Sequence, residues 1–152
     1  MIKNHFGARF NKKNLLKSII VNQIVLNNME TAAIIYTIST AIVVLFQACL
    51  AIGLPWGAAS MGGKYPGKHP PKMRVAAVVN MFVLSFLAKI VLVKAGIMLP
   101  QFLSFSTYAI WFVVFFGLVS VVLNTITKSK IERIWIPVAL TQFVCSLMVA
   151  IN

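Results

Sequence analysis

The chain has 152 residues, 60% of them hydrophobic and 11% charged, with a mean hydropathy of +0.91. A soluble domain of that size needs more polar residues to cover its outside, so a soluble globular fold is excluded. The formal charge of +12 comes from 14 lysines and arginines against two acids, Glu30 and Glu132. The cations lie between apolar runs, form no basic face and accompany no recognition motif, which points to a lipid bilayer and its anionic headgroups as partner and away from nucleic acid.

Residues 1–28 stand apart. They hold Lys3, Arg9, Lys12, Lys13 and Lys17, six asparagines and no acid. The apolar stretch 15–26 is interrupted by Lys17, Ser18, Asn22 and Gln23, which leaves it too short and too polar to span. It lacks the clean apolar core and small-residue cleavage site of a secretory signal. An interfacial helix is an alternative reading, although its apolar residues fall on no one clear helical face. The expectation is a polar, basic leader that is either disordered or not translated, the chain then starting at Met29, followed by a four-span domain over 29–152.

Four apolar runs follow, over about 32–53, 75–93, 103–126 and 134–151. Each has close to the ~20 apolar residues that carry a helix across ~30 Å of hydrocarbon. Lipid offers the backbone no hydrogen-bond partner, so the spanning segments must be helices. The predicted fold is all-α: a polytopic four-helix transmembrane bundle.

With four spans, the first and third loops share a side. They carry Lys64, Lys68, Lys72, Arg74, Lys128, Lys130 and Arg133, while the second loop has Lys94, with Lys89 close by in span two. The positive-inside rule then puts loops one and three in the cytoplasm and both termini outside a bacterial cytoplasmic membrane. The basic residues before Met29 argue the other way, and a start at Met29 removes that conflict. Trp56 and Trp135 fall at the proposed cytoplasmic interface, and Tyr36, Tyr108 and Trp111 towards the outer one.

The first loop is the least oily part of the chain. Pro55, Pro66, Pro70 and Pro71 fix φ, while Gly57, Gly62, Gly63 and Gly67 reach conformations closed to other residues. That mixture, with Trp56 among it, predicts a series of specific turns, including a tight one at Pro66-Gly67. In one reading it is a structured cap whose Lys64, Lys68, His69, Lys72 and Arg74 surround an anionic group, helped by an anion nest at Gly62 and Gly63. In the other it is a compact connector whose cations touch lipid phosphates and fix topology. No GK[ST] follows the glycines and no strand precedes them, which excludes a Walker loop and a dinucleotide fingerprint.

The run Gly53-Leu54-Pro55-Trp56-Gly57, then Met61-Gly62-Gly63, Tyr65-Pro66-Gly67, Pro70-Pro71 and Arg74, resembles the loop signature of small uncharacterised bacterial four-span integral membrane proteins. The likeness covers the loop and the four-span layout. It implies an inner-membrane protein and carries no activity; His69, where such proteins often have an apolar residue, is given no role by it.

Polar residues inside the spans are the other place to look, because they are costly in lipid. Gln47 and Asn80 lie about 9 Å from the loop ends of their spans, and Gln142 about 12 Å, at ~1.5 Å per residue. Three amides on three helices therefore share a level beneath the first loop. They predict either a small polar cavity roofed by that loop or interhelical hydrogen bonds worth about 0.6 kcal/mol each. Lys89 is close enough to the far interface to snorkel outward. Cys49 and Cys145 are at different depths, belong to no CxxC, and read as small buried hydrophobes.

Mid-membrane there is no acid, so the central glutamate of the small multidrug-resistance exporters has no counterpart. His5 and His69 make no metal cluster, and Ser60 with His69 lacks an acid to orient a nucleophile–base pair. The expectation is no enzyme, no cofactor and no metal, but a structural or accessory membrane protein whose cytoplasmic loop contacts headgroups or a partner. The alternative is a subunit of a small oligomeric transporter or channel, with Gly117 and Ser120 giving span three a small-residue surface for close packing.

Overall fold

The computed structural model describes residues 12–152; residues 1–11, with Lys3, His5 and Arg9, lie outside the described residues. Four helices are connected in sequence: α1 (Lys12–Ile52), α2 (Pro71–Lys94), α3 (Leu103–Ile126) and α4 (Ile136–Ile151). Among the described residues there is no strand. Four helical segments, the fourth counted from Glu132 to Ile151, are long and apolar enough to cross a membrane. They form a bundle in which α1 packs on α2 and α4, and α3 packs on α2 and α4 from the other side. Loops one and three meet at one end, here the loop end; the second loop and residue 152 lie at the far end.

The helix limits follow from local chemistry. α1 stops in a Schellman motif, Gly53 N–H donating to the Leu50 carbonyl at 3.1 Å and Leu54 N–H to the Cys49 carbonyl at 3.0 Å. α2 stops the same way at Gly96 and Ile97, which donate to the Val93 and Leu92 carbonyls at 3.0 Å each. Pro71 opens α2 and Pro137 sits in the first turn of α4, where a missing N–H costs little. The third span has the bounds expected of it, 103–126. The fourth starts at Ile136, because Glu132–Trp135 form a 3-10 turn.

The first helix differs from expectation. Its 41 residues are one continuous helix, about 61 Å long at 1.5 Å per residue, and the boundary expected at residue 28 is no break in the backbone. Lys17, Asn22, Asn27 and Asn28 interrupt the apolar run, but neither glycine nor proline occurs between 12 and 52, and those two are what end helices. Local bonds tie the polar residues into the helix, Gln23 Nε2 donating to Asn27 Oδ1 at 3.2 Å and Thr31 Oγ1 to the Asn27 carbonyl at 2.8 Å. Residues 14–28 are exposed apart from half-buried Val25, and Met29 is the first buried residue. The bundle therefore begins at Met29, and α1 projects beyond it at the far end.

The packed core belongs to the far half. Ala32, Ala33 and Tyr36 of α1, Leu87, Ala88 and Val91 of α2, Ile110 and Val113 of α3, and Cys145 and Val149 of α4 form one cluster. Tyr36, expected at the outer interface, faces this core and is buried. Large apolar side chains such as Phe82, Phe86, Phe112 and Phe115 point outward, as they can where the surroundings are hydrocarbon and helices associate by close packing. Gly117 is part of that packing. A Cβ there would sit 3.2 Å from the Phe143 Cα, so α3 and α4 approach backbone to backbone. The small surface expected to serve contacts between chains is spent, at Gly117, within this one.

Candidate functional site

The first loop folds into a cap at the loop end. Gly57 N–H donates to the Gly67 carbonyl at 2.9 Å and draws the two limbs of the loop together. Only glycine fits there: a Cβ would lie 2.1 Å from the Tyr65 carbonyl oxygen and 2.8 Å from that of Gly67. Pro66 followed by Gly67 at φ +97° has the residue pattern of a type II turn. Inside the fold lies His69, 2% exposed, its ring edge-on to Tyr65 with centroids 6.0 Å apart. Neither imidazole nitrogen has a hydrogen-bond partner among the described residues.

Arg74 faces inward. Its Nε donates to the His69 carbonyl at 3.0 Å. The guanidinium rests against Gly53, where a Cβ would fall 2.5 Å from one terminal nitrogen. That puts a cation at the C-terminus of α1, the negative end of the helix dipole. Lys64, Lys68 and Lys72 are exposed, with Lys64 Nζ 5.6 Å from the centre of the Tyr65 ring. Of the four cations expected to surround an anion, Arg74 is engaged by the loop's own backbone and the three lysines face outward.

Three bonds hold the cap to the third loop, and a fourth, within that loop, fixes the carboxylate that one of them uses. Ser129 Oγ donates to the Ala58 carbonyl at 2.6 Å, and Trp135 Nε1 to the Ala59 carbonyl at 3.0 Å. Gly62 N–H donates to Glu132 Oε2 at 2.9 Å, and Thr127 Oγ1 donates to the same oxygen. The anion received at Gly62 is therefore the chain's own carboxylate, and the Gly63 N–H donates to the Ser60 carbonyl at 3.0 Å instead. Phe46 of α1 supports the arrangement from beneath, 4.6 Å from Trp135 and stacked on Trp56 at 6.4 Å between ring centroids. Pro55 and Trp56 lead the chain from α1 into the cap and stay exposed.

Under the cap is a cavity of about 270 Å³. Gln47 of α1, Asn80 of α2 and Gln142 of α4 all line it, joined by Ser120 and Asn124 of α3, Ser60 and Met61 of the cap, and Glu132. The helix rise alone put the three amides at one level; the bundle turns all three inward. Gln142 also serves packing, its Nε2 donating to Thr40 Oγ1 on α1 at 2.9 Å, while Thr40 donates onward to the Tyr36 carbonyl at 2.8 Å.

The cavity continues into a groove of about 550 Å³ along α3, sharing Met61, Phe116, Ser120, Asn124 and Glu132 with it. Asn124 Nδ2 donates to the Ser120 carbonyl at 2.8 Å, which leaves its Oδ1 as an acceptor. Towards the far end the cavity stops at Tyr36 and Leu84, beyond which the interior is the packed core.

Sequence reading missed Glu132, Asn124, Thr127 and Ser129. For Glu132 a signal was present: it is the only acid after residue 30 in a chain of net charge +12. A single carboxylate kept beside Lys130 and Arg133 at a span's end is worth asking about. Cys49 and Cys145 are both free thiols. No group of three or more His, Cys, Asp or Glu that could hold a metal ion occurs among the described residues. No family model, no curated protein and no solved structure matches the chain.

Proposed function

We propose that this is a non-enzymatic, multi-pass protein of a bacterial cytoplasmic membrane, in which a folded basic cap at headgroup level covers a polar cavity that binds a ligand and does not conduct it. The observation that carries this reading is the convergence of Gln47, Asn80 and Gln142 on one cavity beneath the cap. Amides at membrane depth are costly unless they meet polar partners, and a bound polar group supplies what the helices leave unmet. The cavity ends on close-packed side chains, which supports a binding pocket over a path through the bundle.

Around the cap, exposed Lys64, Lys68 and Lys72 add attraction to anionic headgroups, each cation near the surface contributing about 1 kcal/mol. The seven basic residues of loops one and three favour the loop end as cytoplasmic, which puts residue 152 outside. A subunit of an oligomeric transporter is the second reading, favoured by a polar cavity that already reaches into the bundle. It would require the far half to open.

The reading is tested by native mass spectrometry of the protein released gently from its membrane. A retained small molecule or lipid, lost from an Asn80→Leu, Gln47→Leu variant that keeps its melting temperature, is the expected result. Retention unchanged by that variant would return the amides to packing. A periplasm-dependent reporter fused after Asn152 should be active; an inactive one would invert the orientation.

A further inference from the structure

The groove on α3 has two stripes. Phe116, Val119, Leu123 and Ile126 follow one another at helical spacing along one side, and Val119, Leu123 and Ile126 are exposed. The four cover about 15 Å of helix at 1.5 Å per residue. Beside them run Ser120, Asn124 and Thr127, leading to Lys128 at the mouth and Glu132 within. An apolar strip open to hydrocarbon thus runs alongside a polar one that leads into the cavity. That pairing suits an amphiphile lying along the helix, its chain on the first stripe and its head on the second.

The polar end also specifies the head. Both hydrogen bonds given to the Glu132 carboxylate fall on Oε2, so Oε1 receives none among the described residues. With Asn124 Oδ1 left as an acceptor, the pocket offers acceptors and one negative charge, a poor seat for a phosphate and a good one for an ammonium that can donate. Lys128, exposed at the groove's mouth, supplies the opposite charge one step outward. The order is carboxylate inside and ammonium at the rim, the complement of a zwitterion whose ammonium leads and whose phosphate follows.

We propose that the groove and cavity together bind a membrane phospholipid with a primary ammonium headgroup, of the phosphoethanolamine type, taken laterally from the leaflet at the loop end. Its ammonium donates to Glu132 Oε1 and Asn124 Oδ1, its phosphate meets Lys128, and one acyl chain lies along Phe116, Val119, Leu123 and Ile126. A trimethylated ammonium has no N–H to donate, and a glycerol head brings no positive charge, so both should bind less well. This rests on the cavity being a ligand site, as argued above, and adds what the ligand is.

The experiment offers the delipidated full-length protein an equimolar mixture of phosphatidylethanolamine, phosphatidylcholine and phosphatidylglycerol with identical acyl chains. Lipid retention is then read by native mass spectrometry. The ethanolamine lipid should be retained about tenfold over either competitor, the ratio one charge-assisted hydrogen bond supports. Glu132→Gln keeps an oxygen for Gly62 and Thr127 to donate to, so it should remove the preference without lowering the melting temperature. Lys128→Ala, on an exposed side chain, should weaken retention of the ethanolamine lipid in a fold not at risk. Equal retention of all three lipids, preference for the glycerol head, or preference untouched by Glu132→Gln would overturn the headgroup assignment while leaving a ligand site. Retention insensitive to Asn80→Leu, Gln47→Leu as well would remove the ligand site itself.

Discussion

Gly57 has the least freedom of any residue in the cap. Two backbone carbonyl oxygens and the His69 ring occupy the space a side chain would need, the nearest at 2.1 Å. Backbone cannot move aside as a flexible side chain can, so Gly57→Ala should cost on the order of 3 kcal/mol. Its signature in limited proteolysis should be cleavage between residues 57 and 70 while the helices stay intact. Gly53→Ala is a different case. Its Cβ meets the end of the Arg74 side chain, which can swing away, so the cost there comes mainly from φ +92° and is about 1 kcal/mol. The proline and glycine content announced turns. It could not say that one glycine is fixed by a carbonyl ten positions later, because that depends on how the limbs of the loop fold together.

At the scale of elements, the helix limits of α3 follow the apolar run 103–126, because a segment in lipid must satisfy its backbone within one uninterrupted helix. That Gln47, Asn80 and Gln142 lie near one another along the bundle follows from a constant rise per residue; all three line one cavity. Contacts between elements were not readable. Nothing in the order of residues says that Gly62 meets Glu132 or that Trp135 Nε1 finds the Ala59 carbonyl. The length of α1 was not legible, because the polar residues that interrupt the apolar run before Met29 do not interrupt the helix. The α3–α4 contact makes a test at this scale. With the Phe143 backbone 3.2 Å from where a Cβ would stand, Gly117→Ala should separate the helices and lower stability by about 1–3 kcal/mol. Thermal unfolding in detergent measures it, and an unchanged melting temperature would mean that the contact has slack.

Seen whole, the molecule has two unlike halves. The far half is filled by side chains from all four helices, and the loop half holds the cavity, its mixed polar and apolar lining, and the cap. In lipid, where apolar area gives helices no reason to associate, filling the far half closely is what holds the bundle together. That leaves the loop half at liberty to stay hollow. The cap then does for the loop half what packing does for the other, joining loop one to loop three through Ala58, Ala59 and Gly62.

Those joins also impose an order in time. Gly62, Ala58 and Ala59 find their partners 70, 71 and 76 positions downstream, and a ribosome makes the chain from one end only. The cap's own residues are complete before α2 is made, yet Ser129, Glu132 and Trp135 emerge after α3. Until then the loop has its internal Gly57–Gly67 bond and nothing to rest on. A nascent chain halted after Ile126 should therefore expose a loop that a protease cuts readily, and one extended past Trp135 should protect it. Closure of the cap thus reports that the third span has been threaded and that loop three has returned to the same side as loop one, a check on topology performed by the protein itself.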